Sequence, residues 1–366
     1  MKSDDNALHF FLGANTPQGF VSRFDQLADE NDGWRCFVIK GGPGSGKSTM
    51  MKRVARHLAE MGEDIEMIHC SSDADSLDGV ICPRLKFSIA DGTPPHAIEP
   101  KYPGAFESVV DITSCWDDDK LYACRDDIIS ISRNCSKCHE YCCRFMGAAA
   151  ALVGDTYRIA LDCLNTQKLA GYCTRLTEKE FKSAKKMQGN EKIRVFSAVT
   201  NKGVVAFDES AKKLCKRIYL INDEYGAVSR VLLQVIRTNA LAAGYDIISS
   251  YCPLSPFEKL EHIFIPELDV GFMTSNSYHD FNLLIDPYRI VNCRRFTDND
   301  KIKASKKRIN FNRKATAQMI SQAENLLKEA KKLHDELENY YISATDFSKV
   351  EALTEKVIAR IDMMAN

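Results

Sequence analysis

Charge of one sign is missing from this chain: 49 lysines and arginines stand against 50 aspartates and glutamates. With no surplus of either sign there is no long-range field to draw in a phosphate backbone or an anionic lipid surface, so nucleic acid is not an expected partner. Long apolar runs are missing too. The apolar patch at residues 147–154 is far too short to cross a bilayer, and no membrane partner is expected. The first six residues hold no basic segment leading into an apolar one, and a cytoplasmic protein is expected. With only 11 prolines and 19 glycines, collagen-like and low-complexity classes are excluded. The 14 cysteines are then read as reduced thiols packed as small apolar residues rather than as a disulfide framework.

What is present is enough apolar material for real cores, 45% of 366 residues, and a length beyond the span of one core. Two domains are expected, and an internal repeat divides them. At an offset near 182, Ala14, Thr16 and Gly19 recur as Ala198, Thr200 and Gly203. Ser48, Val54, Gly62, Asp64, Ile65 and Cys70 recur as Ser229, Val235, Gly244, Asp246, Ile247 and Cys252, and Leu77, Pro83 and Leu85 meet Leu260, Pro266 and Leu268. The offset drifts between 181 and 184, as loop insertions would make it. The expected boundaries are a first domain at 1–182, a linker at 183–192 and a second domain at 193–366.

Each half opens with alternating strands and helices: strand 36–40, helix 46–61, strand 65–70 and strand 86–90 in the first. That order predicts an α/β fold, a parallel sheet flanked by helices, made twice. Long helical sequence follows each core. Ile320, Ala323, Leu327, Ala330, His334, Leu337 and Tyr341 form one apolar stripe, and Val350, Leu353, Val357, Ile361 and Met364 form another. The two predict an antiparallel helical hairpin, with residues 119–182 as its counterpart.

One motif carries chemistry. Gly41, Gly42, Pro43, Gly44, Ser45, Gly46, Lys47 and Ser48 satisfy G-x-x-x-x-G-K-[ST], behind an apolar strand and ahead of a helix opened by Thr49. Glycines let the backbone wrap a β-phosphate with its amides inward, and the helix adds its positive end. Residues 41–49 are therefore the expected nucleotide-binding set of a P-loop NTPase, with Lys47 on the β- and γ-phosphates and the Ser48 hydroxyl on Mg²⁺. A carboxylate at the end of a neighbouring strand completes such a site, and Asp91 is the first candidate for it, as catalytic and metal-binding residue. Asp73, Asp75 and Asp78 are alternatives, and His96 lies in the same loop region as Asp91. In the second half an offset of 181 sets Val228 against Lys47 and Ala227 against Gly46; Thr274 takes the place of Asp91, and Asp223 and Glu224 add negative charge. One nucleotide per chain is expected.

Four segments, His9 to Thr16, Cys70 to Val80, Asp91 to His96 and Tyr102 to Ala105, resemble a family of tandem P-loop proteins of bacteria described only as ATP-binding proteins or ATPases. Residues 265–269 and 333–341 are similar as well, so the resemblance spans nearly the whole chain. It implies a duplicated P-loop NTPase fold and names no substrate. The second loop departs from the family pattern, in which many members keep a usable one.

Other signals are weaker. Cys135, Cys138, His139, Cys142 and Cys143 have zinc-ligand types, but one helix sets Cys135 and Cys142 about 10 Å apart, and a packing face is expected. The basic run Lys301, Lys303, Lys306, Lys307, Arg308, Arg313 and Lys314 reads as a solvated face. His334 reads as a packed, hydrogen-bonded histidine, and Arg230 as a helix residue before an arginine finger. Asn201 and Lys202 begin a guanine-reading signature that lacks its aspartate, which favours ATP over GTP. The functions expected, in order, are Mg-dependent ATP hydrolysis with a degenerate regulatory second half, transfer of phosphate to a small-molecule acceptor, and nucleotide-dependent binding of a protein partner.

Overall fold

A computed structural model describes residues 7–94, 98–182 and 186–365, so His96 and residues 183–185 of the expected linker lie outside it. In chain order the first half runs β1 (Leu8–Phe11), β2 (Gly13–Thr16), β3 (Gly19–Ser22), β4 (Arg35–Lys40), α1 (Lys47–Glu60), β5 (Glu66–His69), β6 (Leu77–Cys82), β7 (Phe87–Asp91), β8 (Glu107–Asp111), α2 (Asp118–Ala123), α3 (Arg125–Asp162) and α4 (Thr166–Glu180). The second runs β9 (Glu191–Ile193), β10 (Ser197–Thr200), β11 (Gly203–Ala206), α5 (Asp208–Leu214), β12 (Arg217–Asn222), α6 (Ala227–Ala242), β13 (Ile247–Tyr251), β14 (Leu260–Ile265), β15 (Val270–Ser275), β16 (Arg289–Asn292), α7 (Asn299–Ala304), α8 (Lys306–Ala344) and α9 (Phe347–Ala365).

The strands form two six-stranded sheets of matching order, β1-β5-β6-β7-β4-β8 and β9-β13-β14-β15-β12-β16, and two small hairpins, β2-β3 and β10-β11. The halves match strand by strand in a mixed α/β fold, as the repeat read from the sequence predicts, with α5 standing where the first half has only a short 3-10 turn at Phe24–Gln26. The sheets are not parallel throughout, as the repeat pattern predicted. β6 and β14 run antiparallel to both neighbours. Connections as short as the four residues between Cys82 and Phe87 can join antiparallel strands but cannot make a parallel crossover.

The inner faces of the sheets meet in one core, where Phe10, Leu12, Ile68, Ile81 and Ala90 pack with Phe196, Ile218, Leu220, Phe264 and Met273. Alternation along each strand sends the neighbouring residues outward. On the first sheet, Phe37, Ile39, Val80, Phe87 and Ile89 face α1 through Met51, Val54 and Leu58. The buried ion pair Arg194 Nε to Glu66 Oε2, at 2.6 Å, and the backbone bridge between Phe11 and Val195 also join the halves.

The helical hairpins expected from the two stripes do not form. α8 packs instead along α3, and the two are antiparallel, since Trp116 ahead of α3 bridges Thr345 after α8 while Leu164 bridges Thr297 at the opposite end. With 38 and 39 residues, each helix is about 57 Å long. Ala323 and Leu327 of the α8 stripe pack against Cys142 and Met146 of α3, so the cysteine run is part of this seam. Crossing over at the ends of the pair exchanges the last helices: Val350, Val357 and Ile361 of α9 enter the outer core of the first sheet, while Leu169, Cys173 and Leu176 of α4 enter that of the second.

Ile361→Ala, far into the second half by sequence, is therefore expected to cost about 2–5 kcal/mol and to raise amide exchange in α1 and β4. Exchange raised in α6 and β12 instead would contradict the swapped packing.

Candidate functional site

Strand β4 ends at Lys40 and α1 begins at Lys47, with Gly44 and Gly46 in the left-handed region at φ 66° and 92°. Only glycine takes such angles without strain, and the second of them caps the helix. Lys47 folds back over the loop, donating from Nζ to the carbonyls of Gly41 at 2.9 Å and Gly42 at 2.7 Å. Ser45 Oγ donates to the Gly42 carbonyl at 2.7 Å and tightens the turn.

Asp91 ends β7, the parallel neighbour of β4, opposite Ile39. Its Oδ2 lies 3.5 Å from Lys47 Nζ, while Oδ1 accepts from the Thr93 amide and hydroxyl at 2.8 and 2.6 Å. Of the four aspartates considered, Asp91 is thus the one placed against the lysine. Asp73 pairs with Lys331 at 3.4 Å and Asp75 with Lys202 at 2.5 Å, both cations from the second half, and Asp78 is buried in β6. Ser48 Oγ accepts the Leu77 amide at 3.0 Å.

Sequence reasoning missed what lies over the loop. The C-terminal end of α8 packs directly on it: a Cβ at position 42 would come 2.5 Å from the Tyr341 ring, and one at position 44 would come 2.9 Å from both Cβ and the carbonyl oxygen of Glu338. Phe347 and Val350 of α9 flank Gly46. His334, one turn before Glu338, sets Nδ1 3.5 Å from Glu338 Oε1. Burial holds its imidazole below the usual range; Glu338 acts upward, and the charges of Lys331 and Lys47 act downward. His334 is thus half-exposed beside Glu338, not packed in the stripe as expected, and the charge of Lys47 is felt at its imidazole. No local signal could have given this, because more than 280 residues separate Lys47 from His334.

The second loop is built differently. Four residues separate β12 from α6, where six separate β4 from α1. The left-handed cap Gly226, at φ 74°, matches Gly46, which places Ala227, not Val228, opposite Lys47; the lysine is absent in either register. Asp223 turns its own carboxylate into the loop and accepts the Ser229 amide at 2.7 Å, filling the helix end with a negative group of the chain itself. The end of α3, with Val153, Thr156 and Tyr157, borders the cavity above, and the Arg230 guanidinium stacks on Tyr157 at 4.2 Å. Arg230 thus lies against α3 of the first half, over the second loop and not the first. Of the basic run, Arg308 is bound to Asp155 of α3, with Nε to Oδ2 at 2.8 Å, and Arg313 borders the same cavity.

Two groups among the described residues have metal-ligand types within reach of one another: His334, Asp335 and Glu338 above the first loop, and Glu261, His262 and His279 in the second half. The cysteine run is not among them. A register shift in β14 lets the adjacent Glu261 and His262 converge. Lys259 Nζ, however, already sits on Glu261 Oε1 at 2.8 Å, and both side chains are buried, so the carboxylate has its cation. Burial alone would raise the Glu261 carboxyl; the Lys259 charge and the nearby histidines outweigh it and hold it at about 2. Burial pushes the His262 imidazole down to about 3, with no hydrogen bond to either ring nitrogen.

Both groups bind protons more tightly unfolded, His262 between pH 6.5 and about 3 and Glu261 between 4.5 and about 2. Stability is therefore present in full above these ranges and falls as pH drops through them. Urea midpoints measured from pH 7 to 4 should decline, and His262→Phe should flatten the upper part of the decline. Lys259→Met, which strands a buried carboxylate, should cost about 3–5 kcal/mol at neutral pH; a midpoint equal to that of the unaltered protein would refute the pairing.

Among the described residues no helix is long and apolar enough to cross a membrane. Compared with known proteins, the chain matches no protein-family profile, no curated protein and no solved structure.

Proposed function

We propose that residues 41–49 bind the phosphates of ATP with Mg²⁺, and that the chain is a Mg-dependent ATPase with one site, in its first half, and a degenerate regulatory second half. The observation that carries this reading is the meeting of Lys47 and Asp91, 3.5 Å apart at the C-terminal ends of adjacent parallel strands, on a loop with two left-handed glycines. Switch points at strand ends are where open α/β sheets bind ligands. The Lys47 ammonium bridges the Gly41 and Gly42 carbonyls, which places its charge over the loop where phosphate oxygens would be met. Ser48 and Asp91 are the residues that would hold the metal, whose charge offsets that of the phosphates. Asp223 excludes a second site, since a carboxylate already takes the amide at the start of α6.

Lys47→Ala should abolish saturable binding of Mg-ATP, and calorimetry with a non-hydrolysable analogue should give one site per chain, kept in Val228→Ala. A second site surviving Lys47→Ala would contradict the reading. Asp91→Asn should retain nucleotide affinity and lower turnover by about 100-fold. Phosphate release with no added acceptor separates hydrolysis from transfer to a metabolite.

A further inference from the structure

The two loops differ in the helix that covers them as well as in their own residues. Trp116 bridges Thr345 and Leu164 bridges Thr297, so the pairs 116/297 and 164/345 fix the offset of the long helices at 181. At that offset His334, Glu338 and Tyr341 over the first loop correspond to Val153, Tyr157 and Ala160 of α3. Of these, Val153 and Tyr157 border the second loop's cavity. Where the lysine and Asp91 are kept, the cover carries a carboxylate and an imidazole; where both are lost, the cover carries neither. A cover that only packed would have no reason to track the loop beneath it.

Among the acids at the first loop, Glu338 has a particular environment. Asp91 touches Lys47, and Asp73 and Asp335 both touch Lys331. Among the described residues Glu338 has only the His334 imidazole, at 3.5 Å, and its backbone rests on Gly44. No lysine or arginine among the described residues is paired with its carboxylate.

We propose that Glu338, supplied by the second half, is a catalytic residue of the first-half site, accepting the proton of the water that attacks the γ-phosphorus, and that His334 is a positioning residue for it. This rests on the ATP reading above. The water oxygen bonds to the γ-phosphorus and the bond from phosphorus to the β,γ-bridging oxygen breaks. ADP leaves with that electron pair. The water proton passes to the Glu338 carboxylate and then to solvent, which gives ADP, inorganic phosphate and one proton from ATP and water.

The test is Glu338→Gln, which keeps size and hydrogen bonding and removes the base. It should bind a non-hydrolysable ATP analogue as the unaltered protein does, lose about 100-fold in turnover, and fail to form a stable complex with Mg-ADP and aluminium fluoride, read as a loss of thermal stabilisation. Glu336→Gln, on the exposed side of the same helix, should leave all three measurements unchanged. His334→Gln, which can still donate to Glu338, should retain more turnover than His334→Leu. Normal turnover and normal aluminium fluoride complex in Glu338→Gln, with binding lost in Lys47→Ala, would overturn the role of Glu338 and leave the ATP site standing. Equal ATP binding by Lys47→Ala and the unaltered protein would remove the site, and the role of Glu338 with it.

Discussion

Everything in this architecture depends on the cover of each sheet's outer face. One face of each sheet is used against the other sheet, and the remaining face is as apolar as the first, with Phe37, Ile39 and Phe87 on one and Tyr219, Ile221 and Phe272 on the other. The helix after β4 or β12 spans only part of that width. The missing cover comes from across the chain, α9 for the first sheet and α4 for the second, and burial of such surface, at roughly 25 cal/mol per Å², is the dominant favourable term in folding. Neither half can complete its core from its own sequence.

The long antiparallel pair α3 and α8 makes the exchange possible. A helix of about 57 Å leaves one sheet and delivers the chain to the other, and the junctions at its ends are fixed by matching hydrogen bonds. The Asp117 amide donates to the Ala344 carbonyl, and its counterpart Asp298 to that of Cys163, both at 2.8 Å. The same geometry sets the cover of the loops. Because α8 ends where α9 must enter the first sheet, its last turns lie on residues 42–46, and glycines at 42 and 44 are required there by the approach of Tyr341 and Glu338. Glycine in this loop thus answers two constraints, a left-handed backbone and a helix in contact.

Much of this was legible in the sequence. The repeat, the strand ahead of the loop, helix α1 and the apolar stripes are set by local spacing, and the strands and helix of the first half lie within a residue or two of their expected bounds. Asp91, the first of the four candidates, sits beside Lys47 because β7 pairs with β4, a strand order that local spacing did not give. Partnership of the stripes was not legible: periodicity says that a helix has an apolar face and says nothing of what covers it, so α8 and α9 read as a hairpin. β6 and β14 were missed because a fully buried strand lacks alternation; all six residues of each are buried. The shortened second loop was hidden as well, since an ungapped offset passes over a two-residue deletion that only the cap Gly226 reveals.

The exchanged helices also bear on why a second half with an altered loop persists. Loss of a lysine and an aspartate costs that half its proposed chemistry and nothing in packing. Val228 is buried in its sheet's outer core, and Asp223 supplies the negative group that the start of α6 favours. Loss of the half itself would strip α9 from the first sheet and α8 from the first loop. The first sheet and the first loop therefore depend on the second fold through packing alone, whatever the second loop binds. The cover residues are asymmetric in the same sense: α8 presents Glu338 and His334 over a loop that has a lysine, whereas α3 presents Val153 and Tyr157 over one that has none.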